Sequence, residues 1–123
     1  MRLILRDEYR AMPWKNGRGT TTEIYAHPPN SANFDWRASI AAVSEDGPFS
    51  SFAGYERHIM LLSGNGMKLE IAGQEAVALR LHQPFSFSGD ANVTARLTDG
   101  PVVDFNLMVR RHFGIGPLRL QTG

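Results

Sequence analysis

The sequence predicts an all-β fold of largely antiparallel strands, arranged as a sandwich or a jelly-roll barrel. Apolar and polar residues alternate with a period of two along much of the 123-residue chain, whereas apolar residues at helical spacing are hard to find. Gly, Pro, Asn and Asp interrupt this alternation about every ten residues, which is typical of turns between short strands. A barrel buries alternate residues and removes exposed sheet edges, so we favour it over an open sheet.

Composition restricts the class of protein. The chain is 42% hydrophobic, has 13 basic against 12 acidic residues and contains no cysteine. Such a chain predicts one globular domain over residues 1–123, and its lack of a basic run argues against a nucleic-acid partner. The longest apolar runs are a few residues long, far short of a membrane span or a signal peptide. We therefore expect a cytoplasmic protein without a membrane partner, in which no disulfide or thiolate site is possible.

The N-terminal part of the chain predicts two strands, at residues 2–5 and 20–26, with a short helical turn at residues 7–10. The segment between them, residues 14–20, contains two glycines and lacks the Gly-Lys-Ser/Thr ending of a phosphate-binding loop. We interpret it as a tight turn that allows a close backbone approach, with Trp14 as its anchor, and we expect it to pack on the barrel.

The clearest strand covers residues 34–43. Its apolar residues share one face, and Arg37 and Ser39 lie on the other, so one face is core and the other has polar groups. The next two strands, residues 56–62 and 67–71, flank Asn65-Gly66, a pair typical of the positive φ angles of a tight hairpin. Further strands are predicted at residues 76–81, 84–88, 92–97 and 102–111.

The last strand has a polar and an apolar face. Asp104, Asn106 and Arg110 share one face with Val102 and Met108, while Val103, Phe105, Leu107 and Val109 share the other. If the apolar face packs against another sheet, the polar face meets solvent. In a barrel with a lumen, the same row places an acid, an amide and a guanidinium in one cavity, where they can orient a small ligand.

Arginines on the predicted strands are suited to an acidic ligand. Arg37, with Ser39, and Arg57 at the start of the next strand could each hold a carboxylate through two parallel hydrogen bonds. The structural alternative is an ion pair that joins neighbouring strands, such as Arg37 with Glu56 or Arg57 with Asp104.

Catalytic and metal signatures are weak. The four histidines, His27, His58, His82 and His112, have no two members within four residues of each other, so no short metal-binding motif is present. We expect no metal and no cofactor, and the chain has no nucleophile elbow and no Cys-His pair. An enzyme is the rival interpretation: Asp104 or Glu23 would act as general base in a metal-assisted isomerase or hydrolase of a small acid, with a pKa raised by burial.

The order of these segments resembles the HutD/Ves family of cupin-like proteins. The resemblance rests on residues 14–17 (WKNG), 21–24, 34–41 (FDWRASIA), 47–54 (GPFSSFAG), 56–57, 61–64, 83–87 and 104–110. It implies a cupin-like jelly-roll barrel. For HutD members it implies a role in bacterial histidine utilisation, as a regulator that senses an acidic intermediate such as N-formylglutamate. Ves members are linked instead to environmental stress.

The polar rows and the matching segments together give our expected ligand-binding residues, with none assigned a catalytic role. They are Trp14, Asn16, Glu23, Arg37, Ser39, Arg57, Asp104, Asn106 and Arg110. We expect a non-catalytic protein that binds a small carboxylate.

The resemblance also bears on assembly. Family members usually continue into a second cupin-like half, which is absent or truncated in this 123-residue chain. A single half would leave apolar strand faces and a sheet edge uncovered, and a second copy across a two-fold axis would cover them. We therefore expect a homodimer.

Overall fold

The computed structural model describes residues 10–15, 17–29 and 33–111 as strands, turns and connections. Its strands are β1 (Arg10–Pro13), β2 (Gly19–His27), β3 (Trp36–Val43), β4 (Gly47–Pro48), β5 (Tyr55–Ser63), β6 (Met67–Ile71), β7 (Val77–Leu79), β8 (Phe85–Ser88), β9 (Val93–Leu97) and β10 (Val102–Arg110). In this part of the chain no helix is long and apolar enough to cross a membrane.

The strands form two antiparallel sheets that face each other. The larger sheet has the order β1-β2-β3-β10-β5-β8, and the smaller has the order β4-β9-β6-β7. From β3 to β10 the chain passes from one sheet to the other at every step except between β6 and β7, as in a jelly roll. The predicted all-β, largely antiparallel class is confirmed.

Two apolar clusters lie between the sheets. The larger one includes Leu61 and Val43 of the six-stranded sheet and Met67, Leu69 and Ala95 of the four-stranded sheet. The smaller one, around Phe34, Tyr55 and Met108, closes another part of the interior. Interior side chains alternate along each strand, as the burial of β6 shows at every second residue.

The interior face of β3 is the one with the polar residues, so the prediction that the apolar face of this strand forms the core is wrong. Ser39, Ala41 and Val43 are buried between the sheets, whereas Trp36 and Ile40 on the opposite side are half-buried. The same holds for β10, whose polar row faces inward. We call the other side the outer face of the six-stranded sheet, defined by Trp36, Ala38, Ile40, Met60, Leu62, Val103, Phe105 and Leu107.

The predicted hairpin at Asn65-Gly66 is wrong, although both flanking strands exist. β5 pairs with β10 and β8, while β6 pairs with β7 and β9, so the turn joins the two sheets instead of two neighbouring strands. The positive φ angles belong to Gly64 and Gly66, at 110° and 116°. A Cβ on Gly64 would lie 2.7 Å from Cγ1 of Val102, so the chain turns tightly over the start of β10.

The N-terminal predictions are only partly covered. The predicted strand at residues 2–5 and most of the helical turn at residues 7–10 lie outside the described residues. Arg10 itself begins β1, an edge strand that pairs with β2 and was not predicted. The two-residue strand β4 was also missed.

Candidate functional site

A cavity of about 490 Å³ opens between the two sheets. Its polar lining comes from Arg37, Ser39, Arg57, Asp104 and Asn106, and its apolar lining includes Met12, Trp14, Phe49, Phe52 and Met108. This volume is typical of small-molecule sites, which combine apolar walls with a few convergent polar groups.

The register of β3, β10 and β5 arranges the floor of the cavity in three rows. Across these strands the rows are Arg37-Met108-Arg57, Ser39-Asn106-Ile59 and Ala41-Asp104-Leu61. The two arginines therefore stand one strand to each side of β10, with backbones separated by about 10 Å, or two strand spacings. Asp104 lies at the other end of the floor, between two apolar residues.

Arg57 is a buried cation that no described carboxylate neutralises directly. Its side chain is 7% exposed, and within the described residues no carboxylate oxygen lies within 4.0 Å of it. Nη1 donates to the backbone carbonyl of Ser50 at 3.1 Å, and Nε is buried without a partner in that part of the chain. The guanidinium lies over three phenyl rings, at 4.9 Å from Phe87, 5.4 Å from Phe52 and 5.6 Å from Phe49.

Burial sets the electrostatics of Arg57. It lowers the pKa of the Arg57 guanidinium to about 10; the positive charge of Arg37 acts in the same direction, and Asp104 opposes them. A cation held away from water in this way gains more from a bound anion than an exposed arginine does.

Asp104 is the second unusual group. It is 1% exposed, and burial raises its pKa to about 7 although the hydrogen bond from Asn106 and the charge of Arg57 both act to lower it. Nδ2 of Asn106 donates to Oδ1 of Asp104. Oδ2 of Asp104 and Oδ1 of Asn106 are buried and have no hydrogen-bond partner among the described residues. The floor thus holds a carboxyl group that is about half protonated near pH 7.

Arg37 is neutralised, in contrast to Arg57. Its Nε lies 3.2 Å from Oε1 of Glu23, at ion-pair distance though without hydrogen-bond alignment, and both side chains are largely buried. Its guanidinium also lies 5.7 Å from the ring centre of Phe34. The two ion pairs suggested from the sequence are not the ones found, because Glu56 pairs with Arg111 at 3.8 Å and Asp104 forms no ion pair with Arg57 within 4.0 Å.

The β1-β2 turn places Trp14 at the rim of the cavity. The indole Nε1 donates to Oγ1 of Thr21 at 2.7 Å, and the ring packs edge-on against Phe49. Gly19 permits this position, since a Cβ there would lie 2.6 Å from the carbonyl oxygen of Ala42 and 3.0 Å from the indole ring. The structure therefore agrees with the predicted close backbone approach at this turn.

The structure brings most of the expected binding residues together. Trp14, Arg37, Ser39, Arg57, Asp104 and Asn106 line the cavity, and Glu23 reaches it through Arg37. Asn16 lies outside the described residues.

Arg110 is not among the cavity-lining residues, contrary to our expectation. It lies at the end of β10, where Nη2 donates to the carbonyl of Phe34 at 2.8 Å and to the hydroxyl of Tyr55 at 3.0 Å. It also forms an ion pair with Asp35 at 3.3 Å and donates to Oδ1 of Asn33 at 2.5 Å. Arg110 therefore links the residues just before β3 to β5 and β10. It does not reach the cavity because β10 has already passed the end of the cavity at this residue.

Sequence reasoning missed the aromatic residues around Arg57. Phe49 and Phe52 belong to the connection between β4 and β5, and Phe87 to β8, so no alternation within one strand relates them to Arg57. The segment 47–54 contributes to the family resemblance, but the resemblance assigns no role to Phe49 or Phe52.

Potential metal ligands do not converge in the described part of the chain. No three His, Asp or Glu side chains there could hold one ion. His58 has its Nδ1 2.7 Å from Oγ of Ser86 on the outer side of β5, and His27 stacks on Trp36. His112 lies outside the described residues.

A comparison with protein-family models identifies the family of this chain. The HutD family model matches residues 6–121, nearly the whole chain. The chain belongs to the HutD family. It is 43% identical over 109 residues to an uncharacterised 21.2 kDa protein in the hutC 3′ region of Pseudomonas putida, covering 88% of this chain. It is 45% identical over 108 residues to Protein Ves of Citrobacter koseri, covering 85% of this chain.

Solved structures of HutD-like proteins superpose well on this HutD chain. A conserved protein of unknown function from Pseudomonas aeruginosa has a TM-score of 0.84 at 47% identity over 89% of the chain. HutD from Pseudomonas fluorescens SBW25, solved in a formate condition, has a TM-score of 0.81 at 45% identity over 89% of the chain. The chain spans 57% and 60% of these two proteins, and 57% and 56% of the P. putida and C. koseri relatives.

More distant structures confirm the cupin fold. The cupin domain of an XRE-family transcriptional regulator from Enterobacter cloacae has a TM-score of 0.61 at 19% identity, over 75% of this chain and 96% of that one. KdgF from Halomonas sp. has a TM-score of 0.66 at 14% identity, over 89% and 95%. These similarities show the fold alone.

Proposed function

We propose that this HutD chain binds a small carboxylate in the cavity between its sheets and acts as a non-catalytic sensor or regulator of histidine utilisation. The observation that carries the proposal is Arg57, a buried guanidinium with no direct carboxylate partner among the described residues. An unpaired buried charge is costly to a fold, so its presence favours a function for it.

The surroundings of Arg57 suit a carboxylate more than a neutral ligand. The planar guanidinium can hold a carboxylate through two parallel hydrogen bonds, and the phenyl rings around it exclude the water that would weaken them. Ser39 and Asn106 add polar groups in the middle row of the floor. Trp14, Met12 and Phe52 provide apolar walls for the rest of a small organic acid.

Family membership supports a role in histidine utilisation. One relative is encoded in the hutC 3′ region of P. putida, and HutD of P. fluorescens was solved in a formate condition. We propose N-formylglutamate as the first ligand to test and the cytoplasm as the location. Relatives named Protein Ves are equally similar, at 43% to 46% identity, so a Ves-like role in stress response is the alternative biological setting.

Calorimetric titration tests the binding directly. The chain is titrated with N-formylglutamate, formate, urocanate and glutamate, and we expect saturable binding of at least one of them. Arg57→Met should weaken that binding by about 30-fold or more, since removing one member of a buried charged contact costs at least about 2 kcal/mol.

Arg96→Met is the matched control for this experiment. Arg96 is exposed on β9 and pairs with Glu70 at 3.1 Å, away from the cavity. It should bind like the parent. If none of the four acids binds, or if Arg57→Met binds like the parent, the proposal is wrong.

A metal-assisted isomerase or hydrolase is the second candidate. The raised pKa of Asp104, about 7, is the observation that favours it, because a general base works best when its pKa is near the working pH. Glu23, the other base considered, is paired with Arg37. Turnover of one of these acids, together with a stoichiometric divalent metal that survives washing with a chelator, would favour this candidate over the binding protein.

A further inference from the structure

Asp104 shares a cavity with the cation that we propose as the anion site, yet it forms no ion pair with that cation. We propose that Asp104 takes up a proton when the cavity binds an anion, so that the affinity for the anion falls as pH rises. This inference rests on the proposed function, because it needs an anion at Arg57. It identifies Asp104 as the residue that sets how much negative charge the cavity accepts.

The geometry around Asp104 does not favour a carboxylate. Its neighbours across the floor are Ala41 on β3 and Leu61 on β5, and its side chain is 1% exposed. Oδ1 accepts one hydrogen bond, from Asn106, and Oδ2 has no partner in the described part of the chain. A buried carboxylate normally needs several hydrogen-bond donors or a paired cation. The free-energy cost of burying a neutral carboxyl group is much smaller.

The charges that face this floor leave room for one more negative charge only if Asp104 is neutral. On β2 and β3, Glu23 and Arg37 form an ion pair and offset each other. On β5, Arg57 is positive, and Lys15 is exposed at the rim of the cavity. With Asp104 ionised, Arg57 and Asp104 already balance. A bound anion would then make the floor negative in a region of low dielectric, and a proton on Asp104 removes that repulsion.

The pKa of Asp104 in the ligand-free protein sets the direction of the pH effect on affinity. Burial raises the pKa of Asp104 to about 7, so below pH 7 the group is already protonated and the affinity should reach a plateau. Above pH 7 each anion that binds must bring a proton with it. Between pH 6 and pH 8 the protonated fraction falls from about nine-tenths to about one-tenth, so affinity should fall about tenfold. Arginine, lysine and glutamate side chains ordinarily keep their charge over this interval.

Formate is a suitable probe because it stays an anion from pH 6 to pH 8. We would titrate it calorimetrically into the 123-residue chain at pH 6, 7 and 8, each in two buffers that differ in ionisation enthalpy. The difference between buffers gives the number of protons taken up per formate. We expect about 0.1 at pH 6, about 0.5 at pH 7 and about 0.9 at pH 8.

Asp104→Asn should abolish both the proton uptake and the pH dependence, and at pH 8 it should bind formate about tenfold more tightly than the parent. His58→Gln is the matched control, because His58 lies on the outer side of β5 and is the described histidine nearest to this floor in the strand register. It should take up protons as the parent does. Formate binding without proton uptake, at constant affinity, would overturn the inference and leave the proposed function intact.

The parent protein alone can decide the matter if Asp104→Asn does not fold. The carboxyl carbon of Asp104, followed by ¹³C NMR, should titrate near pH 7 in the free chain and should remain protonated to higher pH with formate present. A carboxyl signal that titrates at the same pH with and without bound formate would refute the inference. Failure of formate and the other three acids to bind at all would instead remove the proposed function, and this inference with it.

Discussion

Replacing Arg57 by methionine should show that this residue lowers the stability of the fold and is needed for binding. Methionine keeps much of the apolar length of the side chain and removes the charge. The pKa of Arg57 falls from 12.5 to about 10, which corresponds to a cost of about 3 kcal/mol for keeping the charge in the folded protein. Folded and unfolded chains are both protonated at pH 6, so the whole cost is present there.

Favourable contacts of Arg57 offset part of this cost. Its position over three phenyl rings contributes roughly 1 to 2 kcal/mol, and its hydrogen bond to Ser50 contributes about 1 kcal/mol. The balance predicts that Arg57→Met changes the free energy of unfolding by between zero and about 1 kcal/mol, in the stabilising direction. A structural arginine would behave differently, since breaking a buried ion pair costs about 3 to 5 kcal/mol.

Urea unfolding and thermal melting at pH 6, with and without formate, provide the assay. We expect the parent to melt higher in formate and Arg57→Met to melt at or above the parent's ligand-free temperature with no response to formate. Arg96→Met should match the parent in both respects. A loss of more than about 2 kcal/mol in Arg57→Met, with the response to formate retained, would show that Arg57 is structural and that the anion binds elsewhere.

Four further predictions follow from the same structure. Arg37→Ala removes a largely buried ion pair, so the free energy of unfolding measured in urea should fall by about 1 to 3 kcal/mol. Calorimetric titration should show a weaker affinity for formate, and an unchanged affinity would place the anion away from β3. Asp104→Asn should be more stable than the parent by up to about 4 kcal/mol at pH 8 and by much less at pH 5, because the cost of ionising Asp104 builds up between its unfolded pKa of 3.8 and its folded pKa of about 7; parallel stability curves would contradict this. Gly19→Ala should lower the melting temperature by several degrees, since its Cβ would lie 2.6 Å from the backbone oxygen of Ala42. Self-association through the outer face of the six-stranded sheet should give a dimer mass in light scattering at micromolar concentration, and a monomer mass would count against our expected homodimer.

The strands were predictable because their signal is local. Period-two alternation and turn residues gave β6 at residues 67–71 and β10 to within one residue. The pairing of β5 with β10 and β8, instead of with β6, was not predictable, because a turn with glycines at positive φ can join two strands of one sheet or two separate sheets. Only the packing of Gly64 over Val102 distinguishes the two cases, and these residues are far apart in sequence.

The site was predictable where it depends on one strand and not where it depends on several. The alternation along β10 correctly grouped Asp104 with Asn106, and the alternation along β3 grouped Arg37 with Ser39. It could not show that Arg110 had passed the end of the cavity, because strand parity does not give the length of the cavity. Nor could it show the phenyl rings around Arg57, which come from two other segments.

The polar rows can face inward because the two sheets contribute different kinds of residue to the interior. The inward residues of β6 and β9 are all apolar, and Met67, Leu69, Ile71, Val93 and Ala95 among them are buried, so these two strands supply an apolar wall. The six-stranded sheet can then bring Arg57, Asp104 and Asn106 inside against partners that are mostly apolar. Because those groups are incompletely paired, they lower the stability of the ligand-free fold. Substitutions that remove the charge of Arg57 should therefore stabilise the ligand-free fold and impair binding, whereas substitutions at buried positions of β6 should destabilise the fold without altering the preference among acids.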